Sequence, residues 1–264
     1  MLPIVNVFGR ELGMFAIMAT AGILVAGAWA CRTTRKRGYD DNKMILILAF
    51  GALGAFLGGF GLHGLLRIRY IFELFGQGTQ PSFREIVLVL QRTFGGMIFF
   101  GGLLGGLLVG FLTAYKLKLP LAEFADIVTP VIPLFHVFGR IGCFLGGCCF
   151  GVESRIGLIM HNSLVPAANG VRRLPIQLIE SALNFGMFLL LAYLLKKGKF
   201  PGRLMVVYIA LYSVMRFVLE FWRGDVVRGF ILGLSTSQFI SIILLIGVVV
   251  FVLYGRFVIQ EESS

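Results

Sequence analysis

The sequence predicts an all-α, polytopic membrane protein with about seven transmembrane helices. Of its 264 residues, 58% are hydrophobic and only 14% are charged. Phenylalanine and glycine are frequent, at 26 and 35 residues. A chain of this composition has to place much of its surface against lipid. We therefore expect one integral membrane domain that comprises residues 1–264.

Apolar stretches near the ~20 residues that cross a bilayer define the predicted spans. The fourth is interrupted by Pro130, Pro133 and Gly139, and the fifth begins with Gln177 and Glu180. The first is predicted to be a true span and not a cleaved signal, because a basic cluster follows it in place of a small-residue cleavage site. The predicted spans are residues 12–31, 44–66, 95–115, 125–147, 175–195, 204–222 and 231–254.

Lysine and arginine in the connections predict the orientation. Residues 32–43, 116–118 and 196–203 are short and crowded with these basic residues. The basic residues of the other side are all arginines and are spread over longer connections. We therefore expect the N-terminus outside the cell and the C-terminus in the cytoplasm. The net charge of +11 then points to anionic lipid as the partner and not to nucleic acid.

Two long outer connections, residues 67–94 and 148–174, are expected to form an extracytoplasmic cap. The first contains "YIFELFG" and "SFREIVLVLQRTF", which are apolar on one side and charged on the other and predict interfacial helices. The second contains "NSLVPAANGVRRLP", whose Pro, Asn and Gly predict turns or a small hairpin.

Glycines four residues apart predict close helix packing within the spans. Examples are the pairs Gly54/Gly58 and Gly101/Gly105. A phosphate-binding loop is the less favoured interpretation, because no Lys-Thr or Lys-Ser pair follows these glycines. His63, in the same glycine-rich span, is assigned to structure.

Charged residues lie on the sixth predicted span. Arg216 and Glu220 are four residues apart, and Arg223 lies one further turn along. On a helix these spacings place all three side chains on one face, which Tyr212 and Tyr208 continue inward. A neutral Arg216–Glu220 pair that merely tolerates burial is the simpler alternative.

Two other predicted spans carry polar residues of the same kind. Gln177 and Glu180 begin the fifth span, and Arg140 lies in the fourth, four residues after His136. Ionisable groups at membrane depth are costly and are functional candidates by default. Three helices with such groups favour a shared central hydrophilic cavity. For His136, a hydrogen bond to a backbone carbonyl and a general-base role are both compatible with the sequence.

Three of the 4 cysteines, Cys143, Cys148 and Cys149, are close together in the chain, whereas Cys31 is distant. Their C-x4-C-C spacing lacks the C-x2-C knuckle of zinc sites, so we predict no metal and no other cofactor. Inert packing, a disulfide on the oxidising side of the membrane, and a reactive thiolate beside Arg140 remain as alternatives.

These residues fall in sequence motifs that together resemble the prolipoprotein diacylglyceryl transferase family. The stretch "GRIGCFLGGCCFG" (139–151) is similar to the family's G-R-[IL]-G-N-F-x-N-G-E-x-x-G. The order and spacing of the motifs persist from about residue 95 to 245. The other matching stretches are "ADIVTPVIPL" (125–134), "LPIQLIES" (174–181, like H-P-x-Q-L-Y-E), "MRFVLEFWR" (215–223, like F-R-x-x-x-E-F-x-R) and "LSTSQFISI" (234–242, like S-M-G-Q-x-L-S).

The resemblance implies a seven-span enzyme of the bacterial cytoplasmic membrane. Such enzymes move a diacylglyceryl group from phosphatidylglycerol to the lipobox cysteine thiol of a prolipoprotein and release glycerol phosphate. By resemblance, Arg140 and Arg216 hold the phosphate, Glu220 orients Arg216, and Gln177 and Glu180 support the cavity. The implied partners are phosphatidylglycerol or another anionic phospholipid, and a prolipoprotein signal peptide.

The remaining site candidates flank these residues. His136 is a candidate base, and Cys143 is the second catalytic candidate. Arg223, Cys148 and Tyr212 are candidates for contacts to substrate.

This chain also departs from the family pattern. In "GGMIFFGG" (95–102), Phe100 stands where the family has a histidine. Leu12 corresponds approximately to a family tyrosine. In the cysteine-rich stretch, Cys143 and Gly146 replace two asparagines and Cys148 replaces an acid. The chain therefore resembles a divergent, cysteine-rich branch.

The family residues that this chain keeps and those that it replaces are compatible with three functions. The first is transfer of a lipid group from a phospholipid donor. The second is the same transfer through a covalent intermediate on an enzyme cysteine. The third is binding or movement of phospholipid without chemistry, which the loss of the histidine favours.

Overall fold

The computed structural model describes residues 1–76, 81–96, 98–224, 230–231 and 233–261. The described part is mainly helical, as predicted. The helices are α1 (Met14–Lys36), α2 (Asp41–Leu66), α3 (Arg69–Phe75), α4 (Phe83–Phe94), α5 (Phe99–Lys116), α6 (Leu121–Val128), α7 (Val131–Gly146), α8 (Ile176–Lys196), α9 (Leu204–Leu219) and α10 (Thr236–Glu261). The strands are β1 (Ile4–Val7), β2 (Arg10–Gly13), β3 (Glu153–Ile159), β4 (Arg172–Arg173), β5 (Phe230–Ile231) and β6 (Leu234–Ser235).

Six helical stretches of the described chain are long and apolar enough to cross a membrane, counting α6 and α7 together as Leu121–Gly146. The protein is therefore a multi-pass membrane protein. The remaining predicted span, residues 95–115, corresponds to α5, which is equally apolar but shorter over Gly101–Lys116; residue 97 lies outside the described part. The last span begins at Thr236, because the two residues before it form β6.

The fourth predicted span is divided into two helices. α6 ends at Val128 and α7 begins at Val131, with a turn at Thr129 and Pro130 between them. Proline has no backbone N–H to donate and clashes with the preceding turn, so a helix ends before it. The interruption predicted at Pro130 is confirmed, whereas Pro133 lies in the first turn of α7, where proline is tolerated.

The chain forms two compact units, Cys31–Phe124 and the remainder (Met1–Ala30 with Ala125–Ser264). In the first unit, α2 packs along α5 through facing glycines. A Cβ atom on Gly54 would lie 2.5 Å from the Gly105 carbonyl oxygen, and one on Gly58 would overlap the carbonyl of Gly101. We call these four residues the glycine seam. The predicted role of glycine in close helix packing is confirmed.

The same unit contains the two helices predicted in residues 67–94. α4 begins with a capping box in which the Ser82 N–H donates to Glu85 Oε2 at 2.8 Å and the Glu85 N–H donates to Ser82 Oγ. The Ser82 hydroxyl also donates to Glu85 Oε2, at 2.7 Å, and this bond together with the bond from the Ser82 N–H lowers the pKa of the Glu85 carboxyl group. His63 Nδ1 lies 2.8 Å from the Thr93 carbonyl oxygen, as expected of a structural histidine.

The second unit contains the helices that carry the candidate site. α7 packs against α8, and α9 packs against α8 and α10. Ala26, Leu134 and Phe188 form one apolar cluster between α1, α7 and α8. Asp126 accepts hydrogen bonds from the backbone N–H groups of Gly202 and Leu204, at 2.5 and 3.0 Å, and so caps the start of α9.

Two hairpins belong to this unit. β3 pairs with β4, so the hairpin predicted in residues 148–174 is confirmed. β1 pairs with β2 ahead of α1, and Leu12 lies in β2 opposite Val5. That second hairpin was not expected from the sequence, because its apolar residues merge with the first predicted span.

Candidate active site: a buried cluster of arginines and glutamates beside three cysteines

Glu180 is the shared carboxylate of the candidate site. It lies on α8 and is only 1% exposed. Its Oε1 atom is 2.7 Å from Nη2 of Arg140, which lies on the neighbouring helix α7. Its Oε2 atom lies 3.9 Å from Arg216 Nη1 and 3.8 Å from Arg223 Nη1. One glutamate thus faces all three candidate arginines.

A second carboxylate, Glu220, holds Arg216. Glu220 Oε2 is 2.8 Å from Arg216 Nη2, and the same Nη2 donates to Ser237 Oγ at 3.0 Å. The i,i+4 pairing predicted for Arg216 and Glu220 is therefore present. Arg216 is not confined to a neutral pair with Glu220, because it also faces Glu180.

Arg223 reaches the cluster by a different route from the one expected. α9 ends at Leu219 and is followed by a 3-10 turn, Glu220–Trp222, so Arg223 does not lie on the helix face shared by Arg216 and Glu220. Arg223 has an extended backbone that pairs with Gly151 as an isolated β-bridge. This pairing directs the side chain, which is 2% exposed, onto Glu180.

Three arginines and two glutamates form the described part of the cluster. Arg216 Nη1 is buried and has no hydrogen-bond partner among the described residues. An unpaired guanidinium N–H away from water is costly, and an anion bound at this point would relieve that cost.

Aromatic rings extend the site along α9. His136 packs its ring against Tyr212 with 5.6 Å between centroids, and Tyr212 packs against Tyr208 at the same separation. The three rings lie on the helix faces that also carry Arg140 and Arg216. The general-base role of His136 stays a prediction.

The three cysteines are brought together by the end of α7. Gly147 adopts a left-handed conformation, with φ of 72°. The Gly147 N–H donates to the Phe144 carbonyl oxygen and the Cys148 N–H donates to the Cys143 carbonyl oxygen, both at 3.1 Å, which is a Schellman motif. The chain therefore turns back on itself, and Cys148 lies beside Cys143.

A second left-handed residue completes this arrangement. Cys149 has φ of 56°, which an L-residue adopts at a cost of about 1–2 kcal/mol. The sulfur atoms of Cys143, Cys148 and Cys149 all lie within 4.8 Å of one another. We call these three residues the cysteine triad. Gln177 Nε2 donates to the Cys148 carbonyl oxygen at 2.7 Å and so joins the triad to the start of α8.

The triad and the arginines are electrostatic neighbours. Hydrogen bonds from the other two thiols lower the pKa of Cys149, and the nearby charges of Arg223 and Arg140 lower it further. All four cysteines of the chain are present as free thiols. The alternatives that the sequence left open for these cysteines stay predictions.

Sequence reasoning missed two polar residues that position the site. Ser237 receives the Arg216 hydrogen bond, and Asp126 caps α9, the helix that carries Arg216. A sequence signal was available for Ser237, which lies in the first turn of α10. Ser235 and Gln238 form a capping box at the start of this helix, and their S-x-x-Q pattern is typical of such a box. For Asp126 no local pattern pointed to Gly202.

The structure locates three of the residues at which this chain differs from the family pattern. Cys143 and Cys148 belong to the triad, and Gly146 ends α7. Phe100 lies near the start of α5, in the unit Cys31–Phe124, and its side chain falls outside the described part.

The fold and the candidate site together define a multi-pass membrane protein with a buried cluster of arginines and glutamates on α7, α8, α9 and the turn that follows α9. The family model for prolipoprotein diacylglyceryl transferase matches residues 3–254. The chain belongs to this family.

Similar proteins include phosphatidylglycerol–prolipoprotein diacylglyceryl transferase 2 of Clostridium perfringens, which is 36% identical over 92% of this chain and 90% of its own length. The phosphatidylglycerol–prolipoprotein diacylglyceryl transferase of Clostridium tetani is 32% identical over 93% of this chain and 94% of its own. The protein of that name from Clostridioides difficile is 28% identical over 92% and 90%. The similarity thus extends over nearly the whole chain.

Proposed function

We propose that this protein transfers a diacylglyceryl group from phosphatidylglycerol to the thiol of a prolipoprotein's lipobox cysteine. The observation that carries the proposal is the buried Arg216 Nη1, which has no hydrogen-bond partner among the described residues and lies in a cluster with Arg140 and Glu180. A phosphate diester is an anion that can accept a charge-assisted hydrogen bond from this guanidinium. The names of the relatives describe the same reaction.

Arg140 and Arg216 are the residues that we assign to the lipid phosphate. The planar fork of a guanidinium donates two parallel hydrogen bonds to phosphate oxygens, which an ammonium group does not. Glu180 and Glu220 hold the two forks in place from behind. As the bond between glyceryl carbon and phosphate oxygen breaks, charge grows on the phosphate, and fixed donors stabilise that charge more than the ground state.

His136, Tyr212 and Gln177 are assigned supporting roles. His136 is the candidate base for the acceptor thiol, and Tyr212 positions its ring. Gln177 holds the turn that carries Cys148. Arg223 and Cys148 are assigned to substrate contact, and Cys143 is the cysteine candidate for catalysis.

The location of the protein is also a proposal. We place it in the bacterial cytoplasmic membrane as a single membrane domain, with the N-terminus outside, residues 67–94 and 148–174 as an outer cap, and a central cavity open to lipid. The crowded basic loops support this orientation. Reporter fusions at the C-terminus test it: a cytoplasmic reporter should be active there and an extracytoplasmic reporter inactive.

The transfer is tested with the purified chain in phosphatidylglycerol bilayers and a lipobox peptide, with both analysed by mass spectrometry. We expect the peptide to gain a diacylglyceryl group. Arg140→Lys should reduce the rate by about 10- to 100-fold, since a charge-assisted hydrogen bond contributes about 1.5–3 kcal/mol. The matched control is Arg69→Lys, because Arg69 is 76% exposed and forms a surface ion pair with Glu73.

Two other results would each support a different function. A lipid adduct on an enzyme cysteine that forms and decays during turnover would establish the covalent route. Stoichiometric, arginine-dependent phospholipid binding with no product on either chain would establish a lipid-binding protein, and the transferase proposal would then be abandoned.

A further inference from the structure

The cysteine triad has the geometry of a metal site. In a tetrahedral or trigonal thiolate centre with Zn–S bonds of about 2.3 Å, the sulfur atoms are about 3.8–4.0 Å apart. The triad sulfur atoms already lie within 4.8 Å of one another. Small rotations about the Cα–Cβ bonds would close the remaining distance, since each cysteine has one such free torsion.

The backbone keeps the three thiols converged before any ion binds. The Schellman motif fixes Cys148 beside Cys143, and the Gln177 hydrogen bond fixes the Cys148 carbonyl. Cys149 is held in a left-handed conformation. Backbone strain of this kind persists only when the surrounding structure imposes it, and it is concentrated at functional sites.

The surroundings of the triad distinguish it from an inert core. All three cysteines are only partly buried, so an ion can reach them. Metal selectivity favours a soft ion such as Zn²⁺ for an all-sulfur donor set.

The donor set is incomplete, which determines what kind of site it is. Within the part of the chain that the structure describes, the group consists of Cys143, Cys148 and Cys149, with no histidine or carboxylate as a fourth member. Structural zinc sites are closed by four protein ligands, whereas catalytic ones keep a position open for water or substrate. An open position beside the proposed phosphate site suits an incoming thiol.

We propose that Cys143, Cys148 and Cys149 bind one thiophilic divalent cation of the Zn²⁺ class, with an open fourth position that takes the acceptor thiol. The second half of this proposal rests on the proposed function, since a thiol acceptor is what that function supplies. It also provides a means of deprotonating the thiol in a chain that has Phe100 where its family pattern has histidine.

The step balances without redox change. On coordination the acceptor thiol loses its proton to water, because a metal-bound thiol is deprotonated. The thiolate sulfur attacks the glyceryl carbon that bears the phosphate, and a C–S bond forms as the C–O bond breaks. The electron pair of the broken bond leaves with the phosphate as glycerol phosphate, and the cation keeps its charge.

Metal binding is measured first on the full chain, purified under reducing conditions and stripped of metal. Zn²⁺ content and Co²⁺ absorption spectra should show one ion per chain with sulfur ligands. Cys143→Ser, Cys148→Ser and Cys149→Ser should each weaken binding by about 100-fold or more, since loss of an outer-shell partner alone costs about 10- to 100-fold. Cys31→Ser is the matched control, because Cys31 lies outside the triad, and it should bind as the wild type does.

Several results would overturn the site. They are no bound ion in the reduced wild-type protein, equal binding after Cys148→Ser, and a disulfide within the triad that re-forms in preference to metal binding. Titration of the unmodified chain with Zn²⁺ needs no variant, so a misfolded variant cannot obscure the answer.

The open position is tested with the Co²⁺-loaded protein. A lipobox peptide with its cysteine should change the sulfur-to-cobalt absorption, and the same peptide with serine should not. Identical spectra with both peptides would refute the open position. Transfer is then assayed separately: a metal-free protein that transfers at the full rate overturns the metal's role but leaves the proposed function intact. Metal and thiol binding without transfer in any metal state would instead retain the site and refute the function.

Discussion

The glycine seam and the arginine and glutamate cluster represent opposite ways of joining membrane helices. In the seam, α2 and α5 approach until backbone carbonyls would collide with any added Cβ atom. In the cluster, α7, α8 and α9 are joined by Arg140, Arg216 and Glu180, which are charged and nearly buried. Lipid gives no hydrophobic drive for helices to associate, so close packing suffices for structure.

The two regions differ in the free energy that their burial costs. Backbone contact between glycines removes no charge from water, whereas the cluster buries charged side chains. Buried ion pairs are often no more stabilising than well-packed apolar side chains, because each ion must leave water. Five charged residues kept in one place therefore indicate a role beyond holding helices together, whereas the seam needs no such role.

Glu180→Gln should break the cluster with the largest effect. The substitution leaves the three arginines without their shared carboxylate, and loss of one partner from a buried ion pair costs about 3–5 kcal/mol. We expect a lower unfolding midpoint in detergent and loss of transfer. Glu153→Gln is the control: Glu153 pairs with Arg173 but is 71% exposed, so its substitution should cost less than about 1 kcal/mol. Equal effects of the two changes would show that burial of Glu180 does not matter.

Gly58→Leu should break the seam. A leucine side chain at position 58 has no room beside the Gly101 carbonyl, and overpacking typically costs about 1–3 kcal/mol. Gly61→Leu is a matched change on the same helix, because a Cβ at Gly61 meets nothing within 4 Å. Thermal unfolding of both variants measures the difference. If Gly61→Leu destabilises as much as Gly58→Leu, the close approach of α2 and α5 is not what the glycine provides.

Asp126→Ala should sharpen the comparison, because Asp126 is a carboxylate in a predicted span that does not belong to the cluster. It caps α9 through the N–H groups of Gly202 and Leu204. Loss of a helix cap costs about 0.5–2 kcal/mol. We expect a modest fall in unfolding midpoint and nearly unchanged phospholipid affinity. A large loss of phospholipid affinity at unchanged stability would instead assign Asp126 to the binding site.

The smallest expected effect is on the stability of the first turn of α4, where the Glu85 carboxylate is exposed to water. The pKa of Glu85 is lowered by its bonds to Ser82, so the contribution of this pair is present above the usual Glu pKa of about 4.3 and is lost as the pH falls through the lower, folded value. Amide hydrogen exchange at the start of α4 should accelerate over that interval. Ser82→Ala should accelerate it already at neutral pH and weaken the pH dependence, because only the bond from the backbone N–H of residue 82 to Glu85 remains. An unchanged profile in Ser82→Ala would show that the capping box does not protect α4.

Much of the fold was predictable because it depends on local patterns. Apolar length defined the spans, Pro130 marked the break between α6 and α7, and glycines four apart marked the seam. The hairpin β1–β2 was missed, since its residues are as apolar as the span that follows. The same limit applied to Arg223: helical spacing placed it on α9, but that helix ends at Leu219.

The charged residues of the candidate site could be selected from the sequence, but their arrangement could not. Arg140, Glu180 and Arg216 were identified because charge is rare in apolar spans. That Glu180 is their common partner depends on contacts between residues far apart in sequence, for which spacing within one helix carries no information. Asp126 was missed for the same reason, because its partners Gly202 and Leu204 are far away in the sequence.

The cysteines show most clearly what depends on the local sequence and what depends on the tertiary structure. By itself, the sequence determined a polytopic membrane chain, the charged residues that its spans carry, and three thiols at the end of one span, because composition and spacing are local properties. Only the tertiary structure decided that the thiols converge within 4.8 Å and that three arginines meet one carboxylate. Convergence depends on left-handed turns at Gly147 and Cys149 and on packing between helices. These are properties of the folded chain in three dimensions, which a one-dimensional spacing rule does not contain.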